Sequence, residues 1–262
     1  MKKIFINILF ATTLMACQSS EKQISENNEP ETKQVEILAH LEQAHHKEQW
    51  YKIEMVSFDL KLKFGGKQRF KGRLFMTPEG GLVRMEDSSK VMIWDGQEAW
   101  ISPQDSEYGK ARFDLLTWSY FFAAPYKFSD PGTQISAIEE RPLAGRSYPS
   151  FKLTFGEEVG DSPDDWYIVY QDREAKLLSA MAYIVTYSES QAEAEKDPHL
   201  ITYSNYQNFE SFPVATDWTF WTWNEKGETK KMLGQAMISN FKIGTLKADL
   251  FVPDSSFRVA EK

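Results

Sequence analysis

A mainly β (α+β) chain, with helices packed on one antiparallel sheet, is the fold class that these 262 residues predict. Three observations carry that expectation. Apolar and polar residues alternate with period two over most of residues 55–243, as half-buried strands require. The clusters between these runs are short turns, so strand follows strand without room for helical crossovers. Aromatic residues form 14% of the chain and are spread throughout it, and such side chains pack well on a pleated surface. The expected architecture is a single curved sheet or half-barrel of about 11–12 strands, with two helices against its concave face.

The N-terminus follows a different logic. Met1-Lys2-Lys3 is cationic, and Ile4 to Met15 is an uncharged apolar run. That run is too short for a bilayer core, which takes about 20 helical residues. A charged start and a short apolar core mark a secretory signal. Leu14-Met15-Ala16-Cys17 resembles the lipobox of bacterial lipoproteins. The resemblance implies that residues 1–16 are a signal peptide and that Cys17 carries a thioether-linked diacylglycerol. A plain signal peptide with an accidental Cys, or a buried first helix, is the alternative.

Cys17 is the chain's one cysteine, which leaves no intramolecular disulfide to expect. Lipid on Cys17 would bind the protein to a membrane, each buried methylene adding about 0.8 kcal/mol. Gln18 to Thr32 has no aromatic residue and only Ile24 as a sizeable apolar one. Residues 17–32 therefore read as the lipidated Cys and a flexible tether, with a coil reach of roughly 20 Å. Gln18 stands where retention at the inner membrane usually shows Asp. The expected location is the cell envelope, with the outer membrane favoured over the inner.

Residues 33–262 read as one domain, because no Pro- or Ser-rich linker and no repeat interrupts them. Removing residues 1–16 takes away Lys2 and Lys3, leaving 28 basic and 38 acidic residues, a net charge of −10. No basic stripe for nucleic acid is visible, and a monomer is expected. Lys33 to Trp50 reads as one amphipathic helix. Val56 to Phe64 alternates strictly, Gly65-Gly66 turns the chain, and Phe70 to Met76 returns. Leu82–Glu86 is the next strand. Val91–Trp94, Asp95-Gly96 and Gln97–Ile101 form a hairpin, since Asp-Gly suits a type I′ turn. Ala111 to Ala124 is a second helix that Pro125 should end. Strands follow at 133–139, 148–155, 166–170, 177–187, 200–206, 214–224 and 229–243.

The strand Leu82-Val83-Arg84-Met85 and the hairpin to Trp100 resemble the LolA/LolB-like proteins. Trp166–Val185, Phe212-Pro213 and Leu250-Phe251-Val252-Pro253 are similar to their later hairpin, strand entry and terminal motif. The chain also resembles a Gram-negative lipoprotein family with a domain of unknown function, through the Ala39–Trp50 and Phe113–Pro125 segments and the loop 160–165. These resemblances imply an unclosed barrel covered by helices around an apolar hollow. In LolA and LolB that hollow takes lipoprotein acyl chains, and Arg84 suggests the arginine that LolA uses in its lid.

No nucleophile elbow, zinc-protease motif or phosphate loop occurs, so no enzyme and no cofactor is expected. His40, His45 and His46 could hold a metal, but their spacing misses the i, i+4 pairing of one-helix sites. Exposed histidines are the other reading. Glu157, Glu158, Asp161, Asp164 and Asp165 could bind Ca²⁺ or form a solvated turn. The aromatic second helix either plugs the core or acts as a lid over a hollow. As a lid, it would supply Phe113, Leu116, Trp118, Phe121 and Phe122 to the lining, with Trp94 and Trp100 from the hairpin. Trp218, Phe220 and Thr222 fall on one face of their strand, and Trp221 and Trp223 on the other. That strand is covered on both sides or presents a patch. The expected function is a non-catalytic envelope lipoprotein binding lipid, lipoprotein acyl chains or another apolar ligand. The alternative is a structural or partner-binding protein with a filled core.

Overall fold

The computed structural model describes residues 29–157 and 159–261. The signal segment, Cys17 and the tether as far as residue 28 lie outside the described residues. Helix α1 (Glu29–Ala44) begins inside the stretch read as tether. It does not continue to Trp50. His46 adopts φ 59°, a left-handed conformation that a helix interior cannot contain, and a short α2 (Lys47–Trp50) follows. Ile37, Leu41 and Trp50 reach the main core.

Thirteen strands form one antiparallel sheet. The first half contains β1 (Met55–Phe64), β2 (Lys67–Met76), β3 (Val83–Glu86), β4 (Val91–Trp94) and β5 (Ala99–Ser102). Helix α3 (Ala111–Lys127) then crosses to the second half. That half contains β6 (Thr133–Leu143), β7 (Arg146–Phe155), β8 (Tyr167–Gln171), β9 (Leu178–Tyr183), β10 (His199–Phe209), β11 (Phe212–Trp223) and β12 (Thr229–Gly244). A two-residue strand, β13 (Arg258–Val259), adds beside β5, and a turn of helix α4 (Gln191–Ala194) precedes β10. The order is β13-β5-β4-β3-β2-β1-β12-β11-β10-β9-β8-β7-β6. Two meanders are thus joined where β1 pairs with β12, and the sheet does not close.

The turn chemistry explains the register. Gly65 and Gly66 both have positive φ and link directly paired Phe64 and Lys67, the type I′ geometry. Asp95-Gly96 behaves differently from the expectation. Only Gly96 has positive φ, and the Asp95 carboxylate accepts the N–H groups of Gln97 and Glu98 at 2.9 and 2.8 Å. The hairpin therefore closes through a four-residue loop, with Trp94 opposite Ala99.

Curvature follows from topology. β5 and β8 lie nine strands apart in the order, about 43 Å if flat at the usual inter-strand spacing. Both touch α3, β8 through Tyr167 packed on Tyr120. A helix of 17 residues spans only about 25 Å. The sheet must curl around it. Core residues of the inner face include Phe58, Leu74, Trp218 and Phe220. On the outer face, α4 helps to cover a smaller cluster containing Trp166, Tyr170 and Trp223, against which Trp221 packs. The β11 tryptophans are consequently covered on both faces.

Pro125 does not end α3 but sits inside it. Proline supplies no N–H, which strips the Phe121 carbonyl of its helical partner. The Tyr203 hydroxyl of β10 donates to that carbonyl at 3.0 Å, in a buried position. The sheet thereby completes the helix. Tyr203→Phe should cost about 1–3 kcal/mol, the penalty for a buried carbonyl left unsatisfied. In a Pro125→Ala background the restored N–H can reach Phe121, and the same substitution should cost less than half as much. Urea unfolding of the four proteins checks this, and equal costs in both backgrounds would contradict it.

Candidate functional site

A partly open hollow of about 1200 Å³ lies beneath α3. Ordinary small-molecule sites run from roughly 300 to 1000 Å³, so this space exceeds that of most compact ligands. Its walls come from β1–β2, from β8–β9 and from α3 itself. Leu62, Phe64 and Phe70 face it from the first strands, and Tyr167 and Tyr183 from the later ones. Gly234 of β12 makes room for the Phe64 ring: a Cβ there would come within 2.5 Å of it.

The aromatic helix both packs the core and borders the hollow. Leu115 is wholly buried, and Phe122 stacks on Phe58 at a centroid distance of 4.1 Å. Phe113, Leu116, Trp118 and Phe121 border the hollow. Phe122 does not; it points instead toward Phe58, Trp218 and Phe241. Trp94 and Trp100 are likewise not among the lining residues. Opposite faces of the hairpin explain their separation. Trp94 is on the inner face, where the Arg112 guanidinium lies over its ring at 4.6 Å. Trp100 pairs with Ile93 on the outer face, and its indole N–H donates to Asp95 at 2.7 Å. Arg84 also faces outward, donating to Glu86 at 2.7 Å and to the Leu250 carbonyl at 3.0 Å.

The first turn of α3 is fixed by polar contacts that the sequence did not reveal. Arg112 makes a two-pronged ion pair with Asp161, tying the helix to the loop 156–165 at the hollow's edge. Such forked pairing is geometrically specific. Asp114 accepts from the Tyr108 hydroxyl and from the Trp118 indole N–H, the latter at 3.0 Å, and burial pushes its pKa upward. Asp165 accepts from the N–H and hydroxyl of Thr186 at 2.7 and 2.8 Å. Burial raises its pKa to about 6. Two of the five acidic residues thus hold structure, while Glu158 lies outside the described residues.

With this geometry, comparisons with solved proteins give a LolA-like fold. One is a LolA superfamily protein from Nitrosomonas europaea, 12% identical, with a TM-score of 0.50 over 81% of this chain and 97% of that one. Another is a domain of a protein named for outer membrane lipoprotein sorting, from Vibrio parahaemolyticus. It is 10% identical, with a TM-score of 0.52 over 84% of this chain and 96% of that one. No family model matches the chain. No curated protein matches it.

Among the described residues, no group of three His, Cys, Asp or Glu side chains is placed to hold a metal ion. His45 is not exposed but buried at 1%. Its Nε2 accepts the Leu178 N–H at 3.0 Å, a bond that requires that nitrogen to be unprotonated. Burial, reinforced by His46, pulls its pKa down to about 3. Free histidine titrates near 6.5, so between those values the unfolded chain binds the extra proton. His45 therefore costs stability as pH falls from about 6.5 towards 3, at a limiting slope of about 1.4 kcal/mol per pH unit. His45→Gln should flatten this loss. Urea midpoints compared from pH 7 to pH 4 test it, and unchanged pH slopes would contradict it.

Proposed function

We propose that this chain is a non-catalytic envelope lipoprotein that holds an acyl-chain ligand in the hollow under α3. In this reading lipid on Cys17 keeps the domain at a membrane, and the outer membrane remains the favoured one. The observation that carries the reading is the hollow itself. Its floor and roof are apolar (Phe70, Leu116, Trp118, Phe121), it is partly open, and it is too large to be a packing defect. A native core leaves few voids bigger than a water molecule, which disfavours the filled-core alternative.

Apolar walls with a few polar groups are what a binding site for an amphiphile requires. The lining also contains Arg69, Lys110 and Lys127 among its charged residues. Lys127 is paired with Asp130 at 2.6 Å. A carrier needs a cover that can part, and the Arg112–Asp161 pair provides one defined contact between the helix and the facing loop. Release would then require breaking a partly exposed ion pair, not unfolding the core. The fold-level likeness to lipoprotein-sorting structures agrees with this reading and adds no residue to it.

The test uses residues 17–262 with Cys17→Ser, purified, delipidated and offered a bacterial lipid extract. Native mass spectrometry should show a one-to-one complex with an acyl lipid. Leu116 borders the hollow and is half-buried, so Leu116→Arg should weaken that complex at least tenfold, about 1.4 kcal/mol. Thermal unfolding should move by only a few degrees. Absence of bound lipid, or binding that Leu116→Arg leaves unchanged, would contradict the proposal.

A further inference from the structure

The two ends of the hollow differ chemically. Beneath β1–β2 the apolar wall is Leu62, Phe64 and Phe70, with the exposed Gln68 and Arg69 beside them. Beneath β8–β9 the wall carries phenols and a carboxylate: Tyr120, Tyr167, Tyr183 and Asp165. The three rings form a chain, with centroids 5.4 Å apart between Tyr120 and Tyr167 and 6.1 Å between Tyr167 and Tyr183. Asp165 is close enough to act electrostatically on all three.

Other buried tyrosines here have partners: Tyr203 donates to the Phe121 carbonyl at 3.0 Å, and Tyr206 to that of Leu178 at 2.7 Å. Among the described residues, the hydroxyls of Tyr120, Tyr167 and Tyr183 have none, and that of Tyr120 is fully enclosed. The enclosed Tyr120 hydroxyl is shut off from the hollow, whereas those of Tyr167 and Tyr183 are not among the enclosed unpartnered atoms. Both residues line the hollow, and two phenol donors at one end of a ligand-sized space match a ligand presenting acceptor oxygens. The charge of that ligand is also constrained. Asp165 forms no ion pair among the described residues and contributes a carboxylate, which disfavours an anionic head beside it.

We propose that this tyrosine-lined end seats the polar head of an uncharged single-chain amphiphile. Its ester or amide carbonyl accepts from the phenols, its hydroxyl or N–H donates to Asp165, and its chain lies along Leu62, Phe64 and Phe70. The inference rests on the ligand reading above and narrows it to a neutral acyl ester or amide. A fatty acid or a phosphate-bearing lipid would instead place its anion near Arg69 and Lys110, at the opposite end.

Three probes of equal chain length separate these cases: monoolein, oleate and lysophosphatidylglycerol, each titrated into residues 17–262 with Cys17→Ser. Monoolein should bind at least tenfold more tightly than either anion. Tyr167→Phe with Tyr183→Phe should erase that preference, with oleate affinity and the thermal midpoint nearly unchanged. Asp165→Asn, which keeps an acceptor for Thr186, should raise oleate affinity severalfold relative to monoolein and keeps the question open to test if the double variant misfolds. Equal or tighter binding of an anion, or a preference that survives these substitutions, overturns this inference alone. Failure of all three lipids to bind overturns the ligand reading together with it.

Discussion

The structure depends on one connection. β5 lies next to one edge of the sheet and β6 forms the other, so the chain between them must cross the whole inner face. It crosses as α3, a helix too short to span a flat sheet of that width. The sheet therefore wraps around the helix, and the aromatic side chains of α3 become the centre of the core. Contacts from β1, β8, β9, β10 and β11 converge on this single element. Tyr203 extends the same dependence to hydrogen bonding, since the sheet replaces the donor that Pro125 removes.

The hollow is a consequence of that arrangement. One helix fills the middle of a curled, unclosed sheet of thirteen strands but not its full width. Phe122 and Leu115 pack where the helix meets β1 and β3–β5, and space is left beside Leu116 and Phe121. The acidic loop reaches the first turn of the helix through Asp161 and Arg112, so the element that organises the core also holds the loop that borders the site.

Much of this was legible in the sequence, and the exceptions have physical causes. Strict alternation in Val56–Phe64 and the Gly65-Gly66 turn located β1 and β2, because a half-buried strand shows its period directly. The strand series also indicated an open antiparallel sheet. The helix break at His46 was hidden, since no Gly or Pro marks it and a left-handed non-glycine residue has no sequence signature of its own. Pro125 looked like a terminator because its compensation comes from Tyr203, 78 positions away. The opposite facing of Trp94 and Trp100 follows from hairpin register alone, since a two-residue or a four-residue loop pairs Trp100 with a residue an odd number of positions from Trp94. The phenol cluster has no such signature. Tyr120, Tyr167 and Tyr183 come from a helix and two strands, and only the fold shows that their rings form one chain beside the hollow.

The central claim is that an amphiphile occupies the space between α3 and the sheet. Paramagnetic relaxation measured with a nitroxide-labelled monoacyl glycerol addresses it residue by residue in the unlipidated protein. Broadening of amide signals centred on Leu62, Phe70, Leu116 and Tyr167, with the outer-face residues Trp166 and Trp221 spared, is the result this account predicts. Broadening centred on the outer face, or spread evenly over the surface, would contradict it.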